Sequence, residues 1–129
     1  MKRKLNILIA EDDEMIEKIT TFCLRRNGHE VDNAKNGSEA VSRFKDKEYD
    51  LILMDIQMPE MDGLQAVKEI RRIEMDYLSK GHTTIIAITT HPDKAECLKA
   101  GADGYVQKPF CFDELSTLFG DYKSSEFLL

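Results

Sequence analysis

Four places along this chain hold side chains that could do chemistry if the fold brings them together: the acidic run Glu11-Asp12-Asp13, Asp55, Thr89 and Lys108. Asp55 closes the apolar run Leu51-Ile52-Leu53-Met54, and by itself it could equally cap the helix that follows. Acidic neighbours change that balance. Carboxylates crowded on one edge repel by a few kcal/mol per close pair at moderate dielectric, and either a raised pKa or a bound cation must offset the repulsion. Lys108 supplies one positive charge. The remainder suits Mg²⁺, a hard ion that takes one or two carboxylates, keeps several waters and leaves positions for phosphate oxygens; Mn²⁺ is the expected substitute. An Asp carboxylate in that setting is a nucleophile toward phosphorus, provided charge on the transferring oxygens is stabilised. Lys108 and the Thr89 hydroxyl are suited to that task.

The elements that must position these groups are legible as apolar runs alternating with stretches of helical period, the sequence form of repeated βα units around a largely parallel sheet. Five units are counted. The first strand reads 5–10, and Ile16, Ile19, Thr20 and Cys23 define the inward face of a helix over 13–26, stopped by Asn27-Gly28. Residues 29–33, with Val31 alone clearly apolar, suit an exposed edge strand, and Ala40, Val41 and Phe44 face inward from the next helix. Residues 51–55 read as a strand buried on both faces. Ala66, Val67, Ile70 and Ile73 recur at helical spacing, strand four is expected over 85–89, and Pro92 suits a first helical turn. Ala95 and Leu98 are expected to face in before Gly101 stops that helix. A short strand at Tyr105-Val106 follows, then a last helix from about Asp113 with Leu115, Leu118 and Phe119 inward.

At 129 residues the chain has room for one domain with its own core; a domain over 1–123 with a short tail, 124–129, is expected. The 24 acidic residues against 18 basic ones give a net charge of −6, which disfavours direct binding to a nucleic acid backbone. The basic start Met1-Lys2-Arg3-Lys4 precedes an apolar run too short for a signal peptide or membrane span, so no membrane partner is expected. Cys23, Cys97 and Cys111 are odd in number and form no C-x-x-C pair, which points to packing roles and a reduced, cytoplasmic setting. Met54, Met58 and Met61 read as packing rather than soft-metal ligands, and His29 and His82 as solvated turn residues.

Taken together, Ile7-Leu8-Ile9-Ala10-Glu11-Asp12, Leu53-Met54-Asp55, Met58-Pro59-Glu60-Met61-Asp62-Gly63, Thr89 and Lys108-Pro109 resemble the receiver domains of two-component response regulators, over essentially the whole chain. The resemblance implies a flavodoxin-like (βα)5 three-layer α/β sandwich with a parallel sheet in the order 2-1-3-4-5. It implies Asp55 as phosphoacceptor, Asp12 as direct Mg²⁺ ligand, Glu11 holding a metal-bound water, and the Gln57 backbone carbonyl as a further ligand. Thr89 and Lys108 would contact the phosphoryl group, Tyr105 would swing with Thr89 as the switch, and the Lys108-Pro109 bond would be cis. Asp13 is then left to cap the first helix. The implied donor is a sensor histidine kinase or a histidine phosphotransfer protein, the output is contact with a downstream protein, and self-catalysed loading and slow dephosphorylation are the only reactions.

Some features depart from the pattern. Thr89 and Lys108 stand closer together than the family leads one to expect, which shortens the fourth unit, and the loop before strand four is longer, as in receivers attached to hybrid kinases. Thr90 stands where a tiny residue is usual, so access to the phosphoryl group is narrowed and slow gain and loss are expected, with Gln57 and His91 tuning the rates from the same opening. A haloacid dehalogenase reading fails because Gln57 replaces the second Asp it needs, and neither a Walker P-loop nor G-x-G-x-x-G is present. The rival is a degenerate receiver that binds partners without phosphorylation. No DNA-binding or enzymatic segment follows the last helix, and Met1 so near strand one favours a natural start.

Overall fold

The computed structural model describes residues 4–58, 61–77, 81–90 and 93–108. In chain order these form β1 (Asn6–Ala10), α1 (Glu14–Arg26), β2 (Glu30–Ala34), α2 (Gly37–Asp46), β3 (Leu51–Asp55), α3 (Gly63–Asp76), β4 (Thr84–Thr89), α4 (Lys94–Ala100) and β5 (Gly104–Gln107). All strand pairs are parallel and the sheet order is β2-β1-β3-β4-β5, the flavodoxin-like arrangement. Pro92, the Lys108-Pro109 bond, Cys111, the last helix and the 124–129 tail lie outside the described residues.

Strand alternation divides the core in two. Leu8, Ala10, Ile52, Met54 and Ile85 point to one face, where Ala40, Val41 and Phe44 of α2 and Ala66, Val67, Ile70 and Ile73 of α3 cover them. Ile7, Ile9, Leu51, Leu53, Ile86 and Ile88 point to the other face, against Leu24 of α1. The helix faces read from α2 and α3 are therefore the ones observed. Met54 is in the core, Met58 is buried and Met61 packs against it.

Two helix faces differ from expectation. On α1 the buried residues are Thr20, Thr21 and Leu24; Ile16 and Cys23 are half-buried, and Ile19 is 59% exposed. Burial of the two hydroxyls is possible because each has a partner: Thr20 donates to the Ile16 carbonyl at 2.8 Å and Thr21 to Glu17 Oε2 at 3.1 Å. On α4 the inward residues are Cys97 and Ala100 rather than Ala95 and Leu98, with Leu98 44% exposed. Small side chains at Ala87, Cys97 and Ala102 form that contact, so the helix can sit close to the sheet. Gly101 ends it with φ +116°, a conformation that favours glycine. His82 is solvated as expected, with its Nε2 2.7 Å from Asp103 Oδ1, whereas His29 is half-buried and its Nδ1 accepts the Leu5 N–H at 3.1 Å.

Sheet order reverses between β1 and β3, since the chain leaves β1 toward β2 on one side and returns to β3 on the other. Ligands of open α/β sheets bind past the carboxyl ends of strands at such a reversal. Glu11 and Asp55 are found there.

Candidate functional site

The Asp55 carboxylate ends β3, a strand buried along its whole length, and its side chain is 1% exposed. The loop beyond it is drawn in tightly. Ile56 donates to the Ile88 carbonyl at 2.9 Å, Gly63 donates to the Ile56 carbonyl at 3.0 Å, and the Gln57 N–H donates to Asp55 Oδ1 at 3.0 Å. A Cβ on Gly63 would stand 2.2 Å from the Asp55 carbonyl oxygen, so only glycine lets α3 begin this close to the strand end. Read as a turn marker alone, Asp62-Gly63 does not reveal this contact; its place eight positions after a strand-ending acid is the available signal.

Glu11 is held one strand away. Its N–H donates to the Ala34 carbonyl at 3.0 Å, and its Oε2 accepts the Asp13 N–H at 3.1 Å. Asp13 in turn caps α1, accepting from the N–H groups of Met15 and Ile16. Lys108 follows β5, its N–H donating to the Thr89 carbonyl at 2.7 Å. Its Nζ lies 3.0 Å from Asp55 Oδ2, 3.4 Å from Glu11 Oε2 and 3.1 Å from Glu11 Oε1. The last is an ion-pair distance without hydrogen-bond alignment, and among the described residues Glu11 Oε1 is a buried oxygen with no hydrogen-bond partner.

Oxygens of Glu11, Asp12 and Asp55 lie within 4.8 Å of one another, Asp12 on the exposed side. Three carboxylates against one ammonium leave two negative charges when all are ionised. The strain appears on Glu11, whose pKa is pushed up from 4.5 to about 7 by burial and by the neighbouring Asp55 carboxylate. Burial disfavours the charged Lys108 as well, but Asp55 and Glu11 outweigh it and raise its pKa. A hard divalent cation fits this donor set: oxygen ligands only, an orphaned buried carboxylate oxygen, and excess negative charge.

The other expected residues fall around this centre. Thr89, buried, ends β4 one position past Ile88, which pairs with Asp55. Tyr105 on β5 is half-buried beside the Ala87, Cys97 and Ala102 cluster and pairs with Ala87. The exposed Thr90 hydroxyl donates to Gln57 Oε1 at 2.8 Å. Gln107, absent from the sequence reading, donates to the Thr90 carbonyl at 3.4 Å; nothing in its type or spacing marks it. His91 lies outside the described residues.

A family model described as response regulator receiver domain matches residues 7–119. Over 113 aligned residues the chain is 42% identical to hybrid signal transduction histidine kinase B of Dictyostelium discoideum, an alignment covering 80% of this chain and 6% of that kinase. The chain thus spans a small fraction of the curated relatives it matches first. Among solved structures, the receiver domain of the Saccharomyces cerevisiae response regulator Ssk1, co-crystallised with the histidine phosphotransfer protein Ypd1, is 31% identical with a TM-score of 0.89, covering 100% of this chain and 95% of that one. The response regulator TrrA of Thermotoga maritima, in complex with Mg²⁺ and BeF, is 34% identical with a TM-score of 0.77, covering 92% of this chain and 98% of that one.

Proposed function

The chain belongs to the response regulator receiver domain family, and from that premise we propose that Asp55 accepts a phosphoryl group from a histidine kinase or histidine phosphotransfer protein. The observation that carries this reading is the Asp55 carboxylate held 3.0 Å from Lys108 Nζ, with Glu11 and Asp12 oxygens within 4.8 Å. In the transfer, an Asp55 oxygen bonds to phosphorus while the bond from phosphorus to the donor nitrogen breaks. The imidazole leaves with the electron pair. Lys108 and the Thr89 hydroxyl meet the negative charge on the transferring oxygens.

Asp12, Asp55 and the Gln57 carbonyl would hold Mg²⁺, with Glu11 orienting a metal-bound water; the ion supplies charge neutralisation for phosphoryl oxygens. The co-crystallised yeast receiver supports a phosphotransfer protein as partner. On this chain a docking surface is available beside the site. Met15, Ile19 and Phe22 are 71%, 59% and 64% exposed and share one face of α1, the helix that starts immediately past Glu11 and Asp12. Output runs through Thr89 and Tyr105 on adjacent strands to a downstream protein. Gln57, Thr90 and His91 set the rates of loading and loss.

Intact mass after incubation with acetyl phosphate tests the reading. A gain of one phosphoryl group that requires Mg²⁺ and disappears in Asp55→Asn is expected. No gain with any phosphodonor would leave an interaction module that works without phosphorylation.

A further inference from the structure

Both sides of the candidate metal site lean on one short turn that carries none of its reacting groups. The turn runs from Ala34, the last residue of β2, to Gly37, the first of α2. At its start the Ala34 carbonyl accepts the Glu11 N–H at 3.0 Å, which fixes the backbone where the acidic pair leaves β1. At its end the Gly37 N–H donates to the Met61 carbonyl, also at 3.0 Å, on the loop that leaves β3 through Asp55 and Gln57. Between them Asn36 caps α2, its Oδ1 accepting the Glu39 N–H at 2.8 Å, so the Gly37 end is part of a regular helix. A Cβ on Gly37 would stand 2.2 Å from the Met61 carbonyl oxygen and 2.9 Å from its carbon, backbone atoms that cannot rotate away. The backbone of Gly37 does not itself call for glycine, since the positive-φ glycines among the described residues are Gly28, Gly81 and Gly101. Helix propensity would favour alanine there. The close approach of the β3–α3 loop is what excludes a side chain.

We infer that the turn between β2 and α2 is a spacer that sets the gap between the Glu11–Asp12 side and the Asp55–Gln57 side of the site, with Gly37 a positioning residue for the Gln57 carbonyl. The inference rests on the Mg²⁺ assignment proposed above. Mg²⁺ demands near-octahedral geometry at about 2.0–2.1 Å, so ligands on two loops must be held at one separation before the ion arrives. Pairing of β1 with β3 fixes only the roots of those loops. The turn braces them from the side, one hydrogen bond to each. Gly63 already holds the far end of the β3–α3 loop against the Asp55 carbonyl. A push on Met61 from position 37 is therefore passed back along the loop toward Gln57.

Mg²⁺ is titrated calorimetrically into the full chain without phosphodonor, and urea unfolding of the same variants is recorded in chelator. Gly37→Ala is expected to weaken Mg²⁺ binding by roughly tenfold, as loss of an outer support of a metal site does. Val41→Ala is the control for stability alone: it thins the buried face of α2 without touching the turn, and should lower the urea midpoint while binding Mg²⁺ as wild type does. Asn36→Ala frays the start of α2 but leaves Gly37 in place, and should weaken Mg²⁺ binding less than Gly37→Ala. Unchanged affinity in Gly37→Ala, or an equal loss in Val41→Ala, overturns the spacer and leaves the metal and phosphoacceptor readings intact. If Gly37→Ala does not fold, Asn36→Ala decides, and wild-type affinity there overturns the spacer. A wild-type chain that binds no Mg²⁺ removes the spacer and the metal site together.

Discussion

Two clusters of buried charge sit at opposite edges of the sheet, and they are built on different terms. At the amino ends of β4 and β5, Arg71 of α3 donates to Glu74 Oε1 at 2.7 Å, Asp103 Oδ2 at 2.8 Å, and the carbonyls of Thr83 and Gly101, each at 2.8 Å. The acids are used again: Glu74 Oε2 accepts the Thr83 N–H, and Asp103 Oδ2 accepts the Ile85 N–H. At the carboxyl edge, among the described residues, Lys108 alone faces Glu11 and Asp55, and one Glu11 oxygen has no hydrogen-bond partner. One cluster is complete and locks α3, β4 and the turn before β5 together. The other is left short of positive charge, which fits the proposed reception there of a cation and a phosphoryl group.

The contrast is open to measurement. The largest effect is expected from Arg71→Met, which leaves two acids without their partner; urea unfolding should show a loss of about 3–5 kcal/mol. If the midpoint barely moves, the cluster is not a structural lock. Gly63→Ala comes next, because the added methyl meets the Asp55 carbonyl; a loss of about 1–3 kcal/mol, with slower loading by acetyl phosphate, is expected. Third, Mg²⁺ should raise the thermal midpoint, by about 1.4 kcal/mol of stabilisation at a free concentration roughly ten times Kd. Asp12→Ala should abolish that response, and an undiminished response in the variant would move the ion elsewhere.

The smallest effect has an unusual sign. In the folded chain Glu11 has its pKa raised from 4.5 to about 7, so its proton favours the fold in full below about pH 4.5, and that contribution is lost as the pH rises through 7. Glu11→Gln imitates the protonated form. In chelator it should therefore melt a few degrees higher than wild type at pH 8 and no higher at pH 4.5. A variant less stable at pH 8 would mean that Glu11 is a structural ion-pair partner, like the acids around Arg71.

The same two edges differ in how far they could be read in advance. Asp55, Glu11 and Thr89 were visible because each follows an apolar run, Lys108 because it comes just after a short strand, and strand ends converge in a parallel sheet whatever the loops do. The Arg71 cluster left no such mark. Arg71 sits on a charged helix between Glu69 and Glu74, and apart from Glu74 one turn on, its partners are a side chain and carbonyls up to 32 positions away that no period predicts. On α1 Thr20 was placed inward and is buried, but Thr21 was passed over because a hydroxyl looks polar in isolation and only its local partner makes it buriable, and the inward face runs on to Leu24 rather than through Ile19. On α4 too few turns exist for periodicity to outvote the small-residue contact at Ala87, Cys97 and Ala102. Gly63 matters through backbone closeness, which sequence spacing does not carry.

Lys108 bridges to Asp55 across 53 positions and to Glu11 across 97. Such separations put the charge arrangement among the late events of folding, since the longest loops must close first. A chain emerging from synthesis exposes Glu11, Asp12 and Asp55 well before β5 brings the ammonium. On the phosphoacceptor reading proposed above, competence to take a phosphoryl group would therefore be a property of the finished domain, and phosphorylation would double as a report that folding is complete.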